Sequence, residues 1–399
     1  MTTPHQLNFE NDFENEENSQ LASPTLLEGV VVTDTDWTAE TVISQVEKEN
    51  IFLNPRFQRR EAWDDRRKSK FIESLVLGLP VPQLVLAEMK TVRGKYMVID
   101  GKQRLLSLIR FATNKFEKKL TLKGLEIRPD LNGKTWDDIK ADPHFSDDVS
   151  AFENSSIRTT VIRGWKDERA LYLIFHRLNS GSVTLSPQEL RHVLHPGKFI
   201  DFAFEYCESS KALINLLGDK GRPDFRMRDV ELLIRFFGLR LFLDSYNGDL
   251  KSFLDDTVEL LNKSWATQEI QLKNIAQECE AAINFTFEVF EDNAFVKWTE
   301  KGPERRFNRA VFDVMTYYFQ DEELRNYIQK NNIQNTINLA FQSLCIENSK
   351  FIKSVETTTK TNEAVITRLW LWGETLEKVI GIAIKDVTLL KNKAQRYGF

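Results

Sequence analysis

The chain has 399 residues, a formal net charge of −5 at pH 7, 41% hydrophobic residues and 11% aromatic residues. That apolar share can build a sizeable core and excludes a globally disordered chain, while the length fits two domains or one large one. The acidic balance excludes a whole-protein basic signature for nucleic acid, so any DNA contact falls to a local patch.

Residues 1–24 are polar and acidic, and no Lys or Arg precedes Lys48. They read as a disordered tail. Thr38 then caps a helix carrying Val42, Ile43 and Val46 on one face. Ile51 to Leu53 reads as a strand, turned by Asn54-Pro55, and Phe57-Gln58-Arg59-Arg60 follows. A helix from Asp65 to Leu77 ends at Gly78 and Pro80, and VPQLVLAEM is the next strand. Arg93-Gly94 turns into the stretch YMVIDGKQRLLSLIRF, Tyr96 to Phe111, whose first half is a short β-branched strand and whose second half has apolar residues at helical spacing. Thr135 with Asp138 marks another helix start, and SIRTTVI, Ser156 to Ile162, alternates like a strand. Beyond Lys166 the pattern is helical almost throughout, in PQELRHVL, VELLIRFFGLRLFL, LKSFLDDTVELLN, AINFTFEVFEDNAF, RAVFDVMTYYF and RLWLWGETLEKVI among others. No fixed-period repeat is evident.

Cys207, Cys279 and Cys345 are far apart and form no CxxC, so neither a disulfide framework nor a zinc site is expected. The most apolar run is broken by Arg235 and Arg240 and is too short to span a bilayer. With no leader pattern at the start, a cytoplasmic protein without membrane contact is expected.

Four places carry charge in a pattern that chemistry could use. The foremost is Asp100-Gly101-Lys102-Gln103-Arg104, where a strand runs into a helix. Asp is a strong N-cap, Gly lets backbone approach a ligand, and the free N–H groups of a helix start attract anions. Arg104 can fork onto phosphate, Lys102 adds charge and Gln103 offers an amide. On the residues alone two readings stand level: Asp100 simply caps the helix, or the corner binds an anion with a divalent cation bridging Asp100 and phosphate. The second place is Gln58-Arg59-Arg60 with Trp63, either a solvated loop or a neighbour of the phosphate site. The third is FHRLNSGSVTLSPQELRH, Phe175 to His192, in which Ser186, Pro187 and Glu189 form a capping box and Arg177, Asn179, Ser180 and Ser182 lie in a loop that can reach a ligand. The fourth is RPDFRMRDVELLIRFF, where Arg226 and Arg228 could face a ligand and Glu231 is expected to pair with Arg235. The five histidines form no HxH, HExxH or HNH-type cluster.

Taken together, NPRFQRREAW, FIESLVLGLPVPQLVL and YMVIDGKQRLLSLIRF resemble the N-terminal domain of GmrSD-type restriction endonucleases, a bacterial family marked by an Asp-Gly-Gln-Gln-Arg motif. Lys102 stands where the motif has its first Gln. The resemblance continues through FHRLNSGSVTLSPQELRH and RMRDVELLIRFFGL, from about Ile51 to Leu241. It implies a ParB/sulfiredoxin-like fold in which a Gly-x-x-Arg corner binds nucleotide phosphates. It further implies that Asp100, Gly101, Gln103 and Arg104 form that site, with Gln58 and Arg59 beside it. Relatives are linked to NTP hydrolysis coupled to restriction of foreign or modified DNA, with cleavage by a separate HNH-type region. This sequence shows no such region, which points to a stand-alone member.

The expected architecture is therefore α+β: an acidic tail over 1–28, a small ParB/sulfiredoxin-like mixed α/β domain over 29–165, and a larger all-helical domain over 166–399. The expected function is NTP binding and Mg²⁺-dependent NTP hydrolysis within a restriction or phage-defence system. Asp100 and Arg104 are the catalytic candidates. Gln58, Arg59, Gly101, Lys102, Gln103 and Arg104 would bind the nucleotide. Arg177, Asn179 and Ser180 would contribute from the second domain, and Asp100 would hold Mg²⁺. Partners in view are the nucleotide, DNA through a patch such as Arg56, Arg59, Arg60, Arg66, Arg67 and Lys68, and a separate nuclease or modification subunit. The alternatives are a nucleotide- or DNA-sensing module without turnover and a metal-dependent nicking nuclease.

Overall fold

The computed structural model describes residues 27–52, 63–90, 92–115, 119–168, 170–171, 174, 186–218, 221–357 and 359–396. The fold is α+β, a mixed sheet with helices in the N-terminal part and a larger helical region after it. The chain divides into two compact units at Leu194/His195.

The first unit holds β1 (Val31–Thr38), α1 (Ala39–Glu47), β2 (Ile51–Phe52), α2 (Asp65–Val76), β3 (Leu84–Glu88), β4 (Tyr96–Asp100), α3 (Lys102–Ala112), α4 (Trp136–Ala141), α5 (Ser146–Asn154), β5 (Ser156–Arg163) and α6 (Pro187–Leu194). The strand order is β1-β5-β3-β4-β2. β1 runs antiparallel to β5, β5 parallel to β3, β3 antiparallel to β4, and β4 parallel to β2. β3 is buried on both faces, since Leu84, Val85, Leu86 and Ala87 are all out of solvent.

Local chemistry sets the helix starts. The Thr38 hydroxyl accepts from the Thr41 N–H at 3.1 Å and the Asp64 carboxylate from the Arg67 N–H at 2.8 Å. Thr135 and Asp138 exchange both bonds of a capping box. Helices α1 to α5 pack on one another over a core that includes Ile72, Leu75, Leu84, Leu86, Leu105, Leu108 and Ile157. Phe111, Trp136 and Phe152 close it, with ring centroids 4.8–5.4 Å apart. Strand β1 is absent from the sequence reading for a physical reason. It is an edge strand whose first six residues are exposed, so it carries no apolar alternation. Polar cross-strand contacts hold it instead: the Thr160 hydroxyl donates to Asp34 at 2.6 Å and Arg158 pairs with Asp34 at 3.1 Å. These bonds hold the Asp34 carboxyl below the usual carboxylate range.

Among the described residues the second unit is mainly helical, with one short ladder, Trp298–Thr299 against Gly302–Pro303. LKSFLDDTVELLN and AINFTFEVFEDNAF, which read as two helices, are the ends of one helix, Leu250–Phe290. Glu231 does not pair with Arg235. It lies 3.3 Å from Arg309, while Arg235 and Arg368 both donate to the buried Asp313 at 2.8 and 2.7 Å. A carboxylate shared by two guanidinium groups satisfies charges that an apolar helix could not otherwise bury. Arg228, which on the sequence could face a ligand or sit in a structural ion pair, pairs with Asp224 at 2.7 Å. No helix among the described residues is long and apolar enough to cross a membrane.

The three cysteines are buried and none is in a disulfide among the described residues, and burial pushes the Cys345 thiol up to about 12. A thiol-specific reagent at pH 8 is therefore expected to label none of them in the native protein and all three after unfolding; rapid native labelling contradicts this packing. Replacing Phe152 with Ala should remove about 3–5 kcal/mol of stability, read as a lower urea-unfolding midpoint.

Candidate functional site

The site is built where β4 ends and α3 begins. Asp100 is the last residue of β4 and Gly101, at φ 97° and ψ 13°, is the residue before the helix. The N-cap Gly101 contributes no side-chain hydrogen bond to α3, and the first helical bond to Gly101 comes from Leu105 N–H at 3.0 Å. Gly101 has no substitute here. A Cβ at this position would stand 2.4 Å from Leu84 Cδ2 and 3.1 Å from Arg104 Nε, and the positive φ strains any L side chain besides.

Asp100 is not the N-cap that the sequence suggests. It lies one residue too early, and its carboxylate does something else. Oδ1 accepts from the Gly101 N–H at 2.7 Å, and Oδ2 accepts from Arg104 Nη2 at 2.8 Å across the first turn. Asp100 therefore occupies two donors that a phosphate would want. Arg104 is buried, and its Nε has no hydrogen-bond partner among the described residues. A buried guanidinium nitrogen without a partner is costly unless something else meets it.

The other two residues of the corner reach outward to the other motifs. Gln103 Oε1 accepts from the backbone N–H of Trp63 at 3.3 Å, which brings the end of the QRREAW segment to α3. Lys102 Nζ donates to Glu189 Oε1 at 2.6 Å, with both side chains buried. Glu189 in turn caps α6: its Oε2 accepts from the Ser186 N–H at 2.7 Å while its own N–H donates to the Ser186 hydroxyl at 3.1 Å. Three separated sequence motifs thus meet at the first turn of α3. Glu189 is the residue that sequence reasoning undervalued, as a helix cap alone. The available signal was Lys102 itself, since a lysine in a buried motif position requires a counter-charge.

Gln58, Arg59, Arg177, Asn179 and Ser180 lie outside the described residues. Of the basic patch offered as a DNA face, Arg56, Arg59 and Arg60 also lie outside them. Lys68 is buried 3.8 Å from Asp65, which accepts from Lys123 at 3.0 Å as well. Among the described residues no group of three or more His, Cys, Asp or Glu is gathered to hold a metal ion.

Residues 40–195 match the family model described as GmrSD restriction endonuclease, N-terminal domain. The matched stretch takes in β2 to β5, the α3 corner and α6 but not the edge strand β1, and it ends one residue past the division between the two units. No curated protein matches the chain.

Substituting Gly101 with Ala should destabilise the first unit by about 1–3 kcal/mol from backbone strain, and by more from the collision with Leu84. An unchanged unfolding midpoint would contradict this corner geometry.

Proposed function

We propose, from the match of residues 40–195 to the GmrSD restriction endonuclease N-terminal domain model, that this chain is the nucleotide-binding and NTP-hydrolysing component of a bacterial restriction or phage-defence system. The observation that carries the reading is the α3 corner: a helix N-terminus opened by a glycine at positive φ, beside a buried arginine whose Nε has no hydrogen-bond partner among the described residues. The ParB/sulfiredoxin-like phosphate corner implied by the family belongs to the same proposal.

In this reading the N–H groups of Lys102 and Gln103 hold phosphate oxygens, and Arg104 clamps them from the side. Phosphoryl transfer needs positioning and charge neutralisation more than covalent chemistry from the protein. The attacking water forms the new bond to the γ-phosphorus, and the bridging oxygen leaves with the diphosphate. Asp100 has a second duty. In the closed corner it competes with phosphate for the Gly101 N–H and Arg104. The residues fit Mg²⁺ in a limited sense, because one carboxylate with phosphate oxygens and water is an ordinary Mg²⁺ donor set. Asp100 would hold Mg²⁺, which would supply positive charge to offset the repulsion of carboxylate and phosphate, and Arg104 would clamp the phosphates. DNA and a separate nuclease or modification subunit are the partners that this reading calls for.

The closed Asp100–Arg104 pair also favours a second reading, a nucleotide sensor without turnover. Nucleotide turnover with Mg²⁺, measured for the wild type, Asp100→Ala and Arg104→Ala, separates the two. Catalysis predicts a loss of about 100-fold or more in kcat for either variant, the scale of losing one donor to a developing charge. Equal turnover in all three proteins sinks the catalytic assignment, and saturable binding without turnover supports the sensor. Metal-dependent plasmid nicking lost in Asp100→Ala would instead support the nuclease reading.

A further inference from the structure

The nucleotide reading leaves the side chain of Lys102 unassigned, and the geometry points to its role. We propose that Glu189 is a positioning residue for the nucleotide corner, acting through Lys102, and that the Lys102 ammonium is not a phosphate ligand. This inference rests on the reading of the corner as a nucleotide site.

Lys102 is the first residue of α3, adjacent to the glycine that forms the corner. Its ammonium points to Glu189 Oε1 at 2.6 Å, and the two side chains are 7% and 6% exposed. A pair that dry resists separation, because either partner left alone is a buried bare charge. Glu189 cannot follow Lys102 freely, since its other oxygen is held by the Ser186 N–H and its backbone by the Ser186 hydroxyl. The start of α3 is therefore tied to the start of α6, and the N–H groups of Lys102 and Gln103 are fixed in direction by a residue far away in sequence. The motif that resembles a DGQQR sequence carries Lys in place of its first Gln, and Glu189 balances that added charge. Position 102 then offers a ligand only its main-chain N–H. The phosphate charge falls to Arg104, the helix terminus and a cation.

A double-mutant cycle tests this on the full chain with Lys102→Gln, Glu189→Gln and the two combined. The readouts are the dissociation constants of ATP and GTP with Mg²⁺ and the thermal unfolding midpoint. Each single variant breaks the buried ion pair, so each should bind nucleotide at least about tenfold more weakly, or ~1.4 kcal/mol, and unfold at a lower temperature. The double variant replaces an ion pair with an amide pair, and its affinity should return to within about threefold of wild type, the scatter expected of a compensated pair. Should a single variant fail to fold, the double variant alone decides. If the double variant unfolds like wild type yet binds as weakly as Lys102→Gln, Lys102 touches the ligand and the proposal is overturned. Additive losses overturn it too. Wild-type protein that binds neither nucleotide overturns the reading of the corner itself, a result distinct from either of these.

Discussion

The constraint on which the first unit turns is the close approach of Leu84 to Gly101. β3 is the middle strand of the sheet and is buried on both faces, so Leu84 cannot move away to make room. With Leu84 Cδ2 only 2.4 Å from where a Cβ would stand, residue 101 must lack one. The same glycine takes the left-handed turn at the start of α3 and offers the helix no side-chain cap of its own. Core packing and the candidate site are therefore one feature. The leucine that fills the core also forces the backbone opening that an anion could use.

Charge around that opening is arranged in two closed pairs. Asp100 holds Arg104 on the strand side, and Glu189 holds Lys102 on the side of α6. The two pairs differ in what they permit. The carboxylate of Asp100 is bound only to its own corner, so an incoming cation can redirect it without disturbing another element. Glu189 is committed to a second helix, so its pair is a joint between elements. A buried ion pair contributes little net stability but strongly penalises the loss of one partner, which suits a joint that must keep register.

Local chemistry was the legible part of the fold. Helices with a hydroxyl or carboxylate at their start, at Thr38, Thr135 and Ser186, could be read directly, because those caps are short-range and residue-specific. PQELRHVL and RAVFDVMTYYF coincide with their helices at both ends. What the sequence withheld is long-range. Edge strand β1 lacks an apolar rhythm, the long helix Leu250–Phe290 carries no break at its exposed middle, and Arg235 finds Asp313 across the fold instead of Glu231 one turn away. The site divides the same way. The corner and its glycine were legible in IDGKQR, but the actual cap position and the Glu189 partner follow from tertiary packing that spacing cannot reveal.

The central claim is that the first turn of α3 receives nucleotide phosphate. Its most direct test is a crystal structure with Mg²⁺ and a non-hydrolysable nucleoside triphosphate. The account predicts phosphate oxygens on the N–H groups of Lys102 and Gln103 and on the Arg104 guanidinium, with Asp100 turned away from Arg104 and Lys102 still on Glu189. Nucleotide bound elsewhere, with the Asp100–Arg104 pair intact, would contradict it.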